Sequence, residues 1–376
     1  MELVSCPMGK KLMKTIEVKV DNFGQLIISG ISGTSLSQEE IDFITSEKLG
    51  GIILFSHNFE DPAQLSELVN SIQKLRDEYP LFIAVDQEGG RVVRFKNHFT
   101  QFPSMQEVAS LDSPKLVFEV HQTIAKELSS CGVNLVLSPC CDILTNPENK
   151  VIGDRAFGTN AETVEKFISA AIRGLQTSGL LSCAKHFPGH GGTSKDSHFD
   201  LPLVKTSLEE LRNKELIPFI KASKSRVQFI MMGHLLVDSI DEKLPVSLSP
   251  RAYNFLRQET KFTKIAITDD MEMKAISDRF STEDAAVMAI SAGADMLIYR
   301  SMENAKRALT SIREAIKKKT LKRELIIEKV QKIEKCKQES LPSYNPIYIP
   351  KITESFNTSE SKKLLEQLQS ISSKKV

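Results

Sequence analysis

The chain has 376 residues, 41% hydrophobic and 26% charged, which excludes a mainly disordered protein and leaves ample apolar material for one large core. Its 49 Lys and Arg against 48 Asp and Glu exclude a strongly basic nucleic-acid binder and give no electrostatic reason to sit on an anionic membrane. No run of about 18 apolar residues occurs, so no membrane-spanning helix is predicted.

From Gln25 onward, short β-branched runs alternate with stretches at helical spacing, as repeated βα units do. The predicted strands cover 25–29, 51–55, 81–86, 134–138, 182–186, 229–234, 264–269 and 295–299. The predicted helices between and after them include 37–48, 62–78, 114–130, 161–178, 250–259, 282–292 and 303–318. Helix starts are legible in Ser37 with Glu40 as a capping box, and in Asp61-Pro62 and Ser249-Pro250, where a cap residue precedes an N1 proline. Gly132, Gly179 and Gly293 mark stops.

The strand runs are nearly continuous Ile, Val, Leu and Phe, as expected where both faces of a parallel sheet are buried. Eight units predict an α/β fold, a single (β/α)8 TIM-type barrel, with a doubly wound open sheet as the alternative. The expected organisation is an N-terminal extension at 1–23, the barrel at 24–340 and a C-terminal tail at 341–376. A lysine-rich helical extension reaches about Lys337, and the polar stretch 353–376 is expected to be loosely held.

The six cysteines, at 6, 131, 140, 141, 183 and 336, show no CxxC pair, which fits free thiols in a reducing cytoplasm. Leu3-Val4-Ser5-Cys6 resembles a lipoprotein cleavage site superficially, without the basic and apolar regions that an export signal needs.

In a parallel barrel the active site forms at the carboxyl ends of the strands. Four predicted strands end in ionisable residues: Asp86, Lys185-His186, His234 and Asp269-Asp270. Any one of them could be a cap or a satisfied core group, but four on one face predict a shared polar pocket. Arg94 and Arg155 can donate to hydroxyl or carbonyl oxygens there, although surface ion pairs explain them equally well.

The richest segment, Lys185 to His198, holds three of the seven histidines and three glycines. Pro188 and Gly189 prevent His186 and His190 from forming a helical i, i+4 metal pair, so a mobile loop after a strand is the better reading, and no metal or cofactor is called for. Asp196 and His198, two residues apart, can place a carboxylate against an imidazole to make a proton donor.

Asp86-Gln87-Glu88-Gly89-Gly90 followed by Arg94, the Lys185-His186-Phe187-Pro188-Gly189-His190-Gly191 run, Asp196-Ser197-His198 and Thr268-Asp269-Asp270-Met271 together resemble glycoside hydrolase family 3, in particular its bacterial β-N-acetylglucosaminidase, or NagZ-type, branch. The resemblance extends over roughly Gly24 to Arg300 and implies a retaining β-N-acetylhexosaminidase acting on terminal β-linked N-acetylglucosamine, in peptidoglycan recycling. By it, Asp269 is the nucleophile and His198, assisted by Asp196, the acid/base, where most glycosidases use two carboxylates.

The same resemblance places Asp86, Arg94, Arg155, Lys185 and His186 on the sugar, with His234 lining the pocket. Gly192 departs from the family pattern, where an Asp often stands, and so does the added stretch before Gly24. The expected partner is a small carbohydrate or muropeptide substrate, with no nucleic acid or membrane, and a monomer is the favoured state. Phosphorolysis, a plain β-glucosidase and a non-catalytic sugar-binding barrel are the competing functions.

Overall fold

The computed structural model describes residues 22–193, 201–341 and 343–373. Eight parallel strands close a barrel: β1 (Ile27–Ser29), β2 (Gly51–Leu54), β3 (Phe82–Val85), β4 (Leu135–Val136), β5 (Leu181–Phe187), β6 (Phe229–Met232), β7 (Ile265–Asp270) and β8 (Met296–Tyr299). Strands adjacent in sequence are adjacent in the barrel, and β8 pairs with β1. Every residue of β1 to β6 and β8 is buried, so the continuous apolar runs reflect strands covered on both faces.

The covering helices are α1 (Gln38–Glu47), α2 (Pro62–Lys74), α3 (Pro114–Ser130), α4 (Ala161–Gln176), α5 (Leu216–Lys224), α6 (Pro250–Thr260), α7 (Thr282–Ala292) and α8 (Met302–Lys317). Their starts use the predicted chemistry: Ser37 accepts from the Glu40 amide in a capping box, and Asp61 and Ser249 cap helices whose first residue is proline. The predicted strands overshoot the observed ends at Asp86 and His234, which leave the ladder and turn toward the mouth or the layer beneath it.

Two register shifts matter for the site. One lies between Ala184 and Phe187 where β5 meets β6, the other between Ile267 and Asp270 where β7 meets β8. A regular strand would send consecutive side chains to opposite faces. The irregularities coincide with Lys185-His186 and Asp269-Asp270, and in both pairs the two neighbours reach one cavity.

The C-terminal extension completes the barrel rather than trailing from it. Helix α9 (Arg323–Ser340) slides Lys337 under the floor, where its ammonium donates to Gln25 Oε1 at 2.7 Å and lies 4.9 Å from the centre of the Phe82 ring. The stretch expected to be loose forms α10 (Ser359–Ser373), with Leu364 and Leu368 buried. Just before it, Phe356 meets Phe99 edge-on at 4.8 Å, so the tail buttresses the loop that follows Arg94.

Candidate active site

A cavity of about 710 Å³ opens at the carboxyl ends of the strands. Asp86 sits where β3 ends, and the next residues turn back on themselves: 87–89 pairs antiparallel with 92–93 through Gly89 and Gly90, whose φ angles of 99° and 56° suit glycine. The Gln87 side chain accepts from the Arg94 and Phe95 amides, which returns the Arg94 guanidinium to Asp86 Oδ2 at 3.0 Å.

The other oxygen of Asp86 accepts from Lys185 Nζ at 2.7 Å, and Lys185 Nζ also reaches Glu88 Oε1 at 2.6 Å. Glu88 then takes a two-pronged bond from Arg155, Nε to Oε2 at 2.9 Å and NH2 to Oε1 at 2.8 Å. Arg155 NH2 in turn lies 3.4 Å from His186 Nε2. The result is an unbroken chain of alternating charge from Arg94 to Arg155. Burial alone would raise the carboxyls of Asp86 and Glu88, but Lys185 with Arg94, and Arg155 with Lys185, hold both below the usual range. Lys185 is correspondingly held protonated: burial opposes its charge, and Asp86 and Glu88 outweigh it.

Asp142, which motif reading did not single out, organises the far end. It is fully buried just beyond β4 and accepts from His186 Nδ1 at 2.7 Å, from the His186 amide at 3.2 Å and from the His190 amide at 2.7 Å. These partners place the imidazole proton on Nδ1 and leave Nε2 as an acceptor facing Arg155 and the cavity. A lone Asp in the apolar run Cys140-Cys141-Asp142-Ile143-Leu144 was the available signal.

Cys140, Asp142 and His186 also bring three ligand-type atoms within 4.8 Å. Here they are already hydrogen-bonded, with Cys140 Sγ 3.2 Å from Asp142 Oδ2, and burial together with Asp142 pushes the Cys140 thiol well up, away from the thiolate a metal needs.

His190 lines the same cavity and starts the loop, where Asn149 donates to its carbonyl at 2.8 Å and Asn146 donates to the Thr193 carbonyl at 3.0 Å. The expected Asp196–His198 pair lies outside the described residues. Beyond it, Leu203–Val204 pairs in parallel with Leu236–Val237. The chain on that side is thus tied to the segment that follows β6.

Asp269 is half-buried at the end of β7 and faces this array across the cavity. Burial raises its carboxyl, but the imidazoles of His186 and His234 and the Asp270 amide, 2.8 Å from Oδ1, bring it below the usual range. His234 differs from the expectation. It is 1% exposed and lies under the β7 end, where Nε2 bonds the Asp270 carbonyl at 2.9 Å and Nδ1 accepts from Ser247 at 2.8 Å, so it supports the Asp269-Asp270 turn instead of lining the cavity.

A closed parallel barrel with the ionised Asp269 carboxylate facing paired acids, arginines, lysine and imidazole has the equipment of a barrel glycosidase. A family model described as the glycosyl hydrolase family 3 N-terminal domain matches residues 15–336. The chain belongs to glycosyl hydrolase family 3 and is a glycoside hydrolase.

Among its relatives, the β-hexosaminidase of Nitrosomonas eutropha is 36% identical over 289 residues, which cover 75% of this chain and 82% of that protein. The structure of a family 3 β-N-acetylglucosaminidase from Paenibacillus sp. strain FPU-7 matches with a TM-score of 0.87 at 34% identity, covering 94% of this chain and 68% of that one. Native NagZ from Neisseria gonorrhoeae matches with a TM-score of 0.76 at 28% identity, over 92% of this chain and 97% of that one.

Proposed function

We propose that the protein is a retaining β-N-acetylhexosaminidase that removes terminal β-linked N-acetylglucosamine, with muropeptides of peptidoglycan recycling as its substrates and the cytoplasm as its place of work. The observation that carries this is the ionised Asp269 carboxylate facing the Arg94–Asp86–Lys185–Glu88–Arg155 chain, in a chain related to β-hexosaminidases over three quarters of its length. The five described cysteines are free, which accords with a reducing compartment. Among the described residues no helix is long and apolar enough to cross a membrane.

In this reading Asp86, Arg94, Lys185, Arg155 and His186 hold the hydroxyls and the acetamido region of the terminal sugar. Asp269 attacks the anomeric carbon as the glycosidic bond breaks, and His198 gives its proton to the leaving oxygen. The glycosyl ester is then opened by water, which surrenders a proton to His198. Asp196 fixes the imidazole and stabilises its protonated form.

The test is release of the aglycone from a chromogenic N-acetyl-β-glucosaminide. Asp269→Ala should fall below about a thousandth of wild-type turnover. Proton NMR of the first product should show the β-anomer. Full activity in Asp269→Ala, or an α-anomer, would refute the mechanism, and N-acetylglucosamine 1-phosphate as the main product in phosphate buffer would make the enzyme a phosphorylase.

A further inference from the structure

Beside the chain of charge pairs from Arg94 to Arg155, the cavity has a second wall of different chemistry. Along the ends of β8, β1 and β2 the chain builds one continuous arc. Gly30 lies so close to β8 that a Cβ there would sit 2.1 Å from the Arg300 carbonyl oxygen, and its amide donates to Tyr299 O at 2.8 Å. The next carbonyl, that of Ile31, accepts from His57 Nε2 at 3.0 Å. Phe55 and His57 stand with ring planes 9° apart and centroids 5.9 Å apart. Arg300, Phe55 and His57 all line the cavity.

The chemistry of this arc is specific. With its proton committed to Ile31 through Nε2, His57 presents Nδ1 as an acceptor. Arg300 is held at Nε by Asp270 Oδ2 at 2.5 Å, and its two terminal nitrogens have no partner among the described residues. Phe55 is the single Phe or Tyr among the described residues lining the cavity. An apolar face, an acceptor and a forked donor on one lip match the C–H face, hydroxyl and oxygen of a pyranose.

The direction of the leaving group brings the two halves together. Asp269 and Asp270 lie at the end of β7, beside β8 and Arg300, while the floor of the cavity is closed by Ile53, Leu137, Met231 and Ile298. Whatever leaves the anomeric carbon above Asp269 must therefore depart through the mouth.

We propose that Phe55, His57 and Arg300 form the aglycone subsite, which takes a second pyranose ring: its C–H face on Phe55, a hydroxyl donating to His57 Nδ1 and an oxygen accepting from the Arg300 guanidinium. The proposal rests on the glycosidase reading above, and its test separates the two.

The experiment compares N,N′-diacetylchitobiose with methyl N-acetyl-β-glucosaminide, which shares the terminal sugar and an alkoxide leaving group but lacks the second ring. Phe55→Ala, His57→Ala and Arg300→Ala should each lower the ratio of kcat/KM for the disaccharide to that for the methyl glycoside by about tenfold, the equivalent of one lost contact. A ratio unchanged in all three variants overturns the subsite.

Turnover of neither substrate by the wild type would defeat the glycosidase reading, and the subsite is then judged by calorimetry on Asp269→Ala. There the disaccharide should bind about tenfold more tightly than N-acetylglucosamine, with the difference lost on adding His57→Ala. Equal affinities for the two sugars overturn the proposal.

Discussion

Replacing Asp142 with Asn is the most direct probe of how the site is organised. The carboxylate accepts two short bonds at 2.7 Å, from His186 Nδ1 and the His190 amide, in a fully buried position. An Asn keeps one acceptor oxygen and turns an NH2 toward the imidazole. Bonds to a charged group contribute about 1.5–3 kcal/mol each and neutral ones about 0.5–1.5, so weakening both costs roughly 2–3 kcal/mol of stability.

The functional effect is distinct. An amide donating to Nδ1 moves the ring proton to Nε2, which then points an N–H at the Arg155 guanidinium, 3.4 Å away, and no longer accepts from a substrate hydroxyl. Loss of that one bond, about 1.5–3 kcal/mol, predicts a fall of about 10- to 150-fold in kcat/KM. A thermal melt, steady-state turnover below the variant's melting range, and nitrogen NMR of the His186 ring are the measurements. Turnover within about threefold of wild type, with the proton still on Nδ1, would show that Asp142 does not set the tautomer.

Glu215 tests the layer beneath the loop. Burial, reinforced by Asp142, raises its carboxyl to about 7, and its Oε2 has no hydrogen-bond partner among the described residues. A raised carboxyl contributes fully below the unfolded value of 4.5 and loses that contribution as pH climbs through 4.5 to about 7. Glu215→Gln should therefore nearly match wild type in unfolding free energy at pH 5 and exceed it at pH 8, by at most about 3 kcal/mol; equal differences at both pH values would contradict the assignment. Gly191→Ala puts a Cβ 1.7 Å from the Ile143 carbonyl oxygen, whereas at Gly192 the nearest atom is the Thr145 hydroxyl at 3.0 Å. Turnover should fall about 100-fold in Gly191→Ala and little in Gly192→Ala, and equal losses would mean that the backbone contact does not place the loop.

The eight strands were legible because residues such as Ile265-Ala266-Ile267 and Phe82-Ile83-Ala84-Val85 are buried on both faces, which writes burial into the sequence as an unbroken run. The helices followed from caps whose chemistry is local. The α5 segment was not singled out: the run that leads into it does start with a capping box, Ser207 with Glu210, but the π-turn at Leu211–Glu215 and Pro218 within α5 break the helical period that would announce it. In α10, Leu364 and Leu368 have helical spacing, but Lys, Ser and Gln around them hide the face that docks. Asp142 and Glu88 were missed as site-builders for a different reason. Each becomes meaningful only beside a partner far along the chain, His186 at 44 residues and Arg155 at 67, and no local pattern encodes such a pairing.

Those long-range pairs also explain why the deep cavity can hold so many charges. Arg94, Lys185 and Arg155 alternate with Asp86 and Glu88, and Asp142 closes the chain through His186, so three cations stand against three carboxylates. Removing any partner would strand a buried charge, at a cost of about 3–5 kcal/mol. The pairing holds every donor and acceptor in place before a substrate arrives, while presenting a nearly neutral surface. Sugar hydroxyls, which both donate and accept, are suited to such a surface, and among the described residues the carboxylate left without an ion-pair partner at this surface is Asp269, which the glycosidase reading assigns to the anomeric carbon.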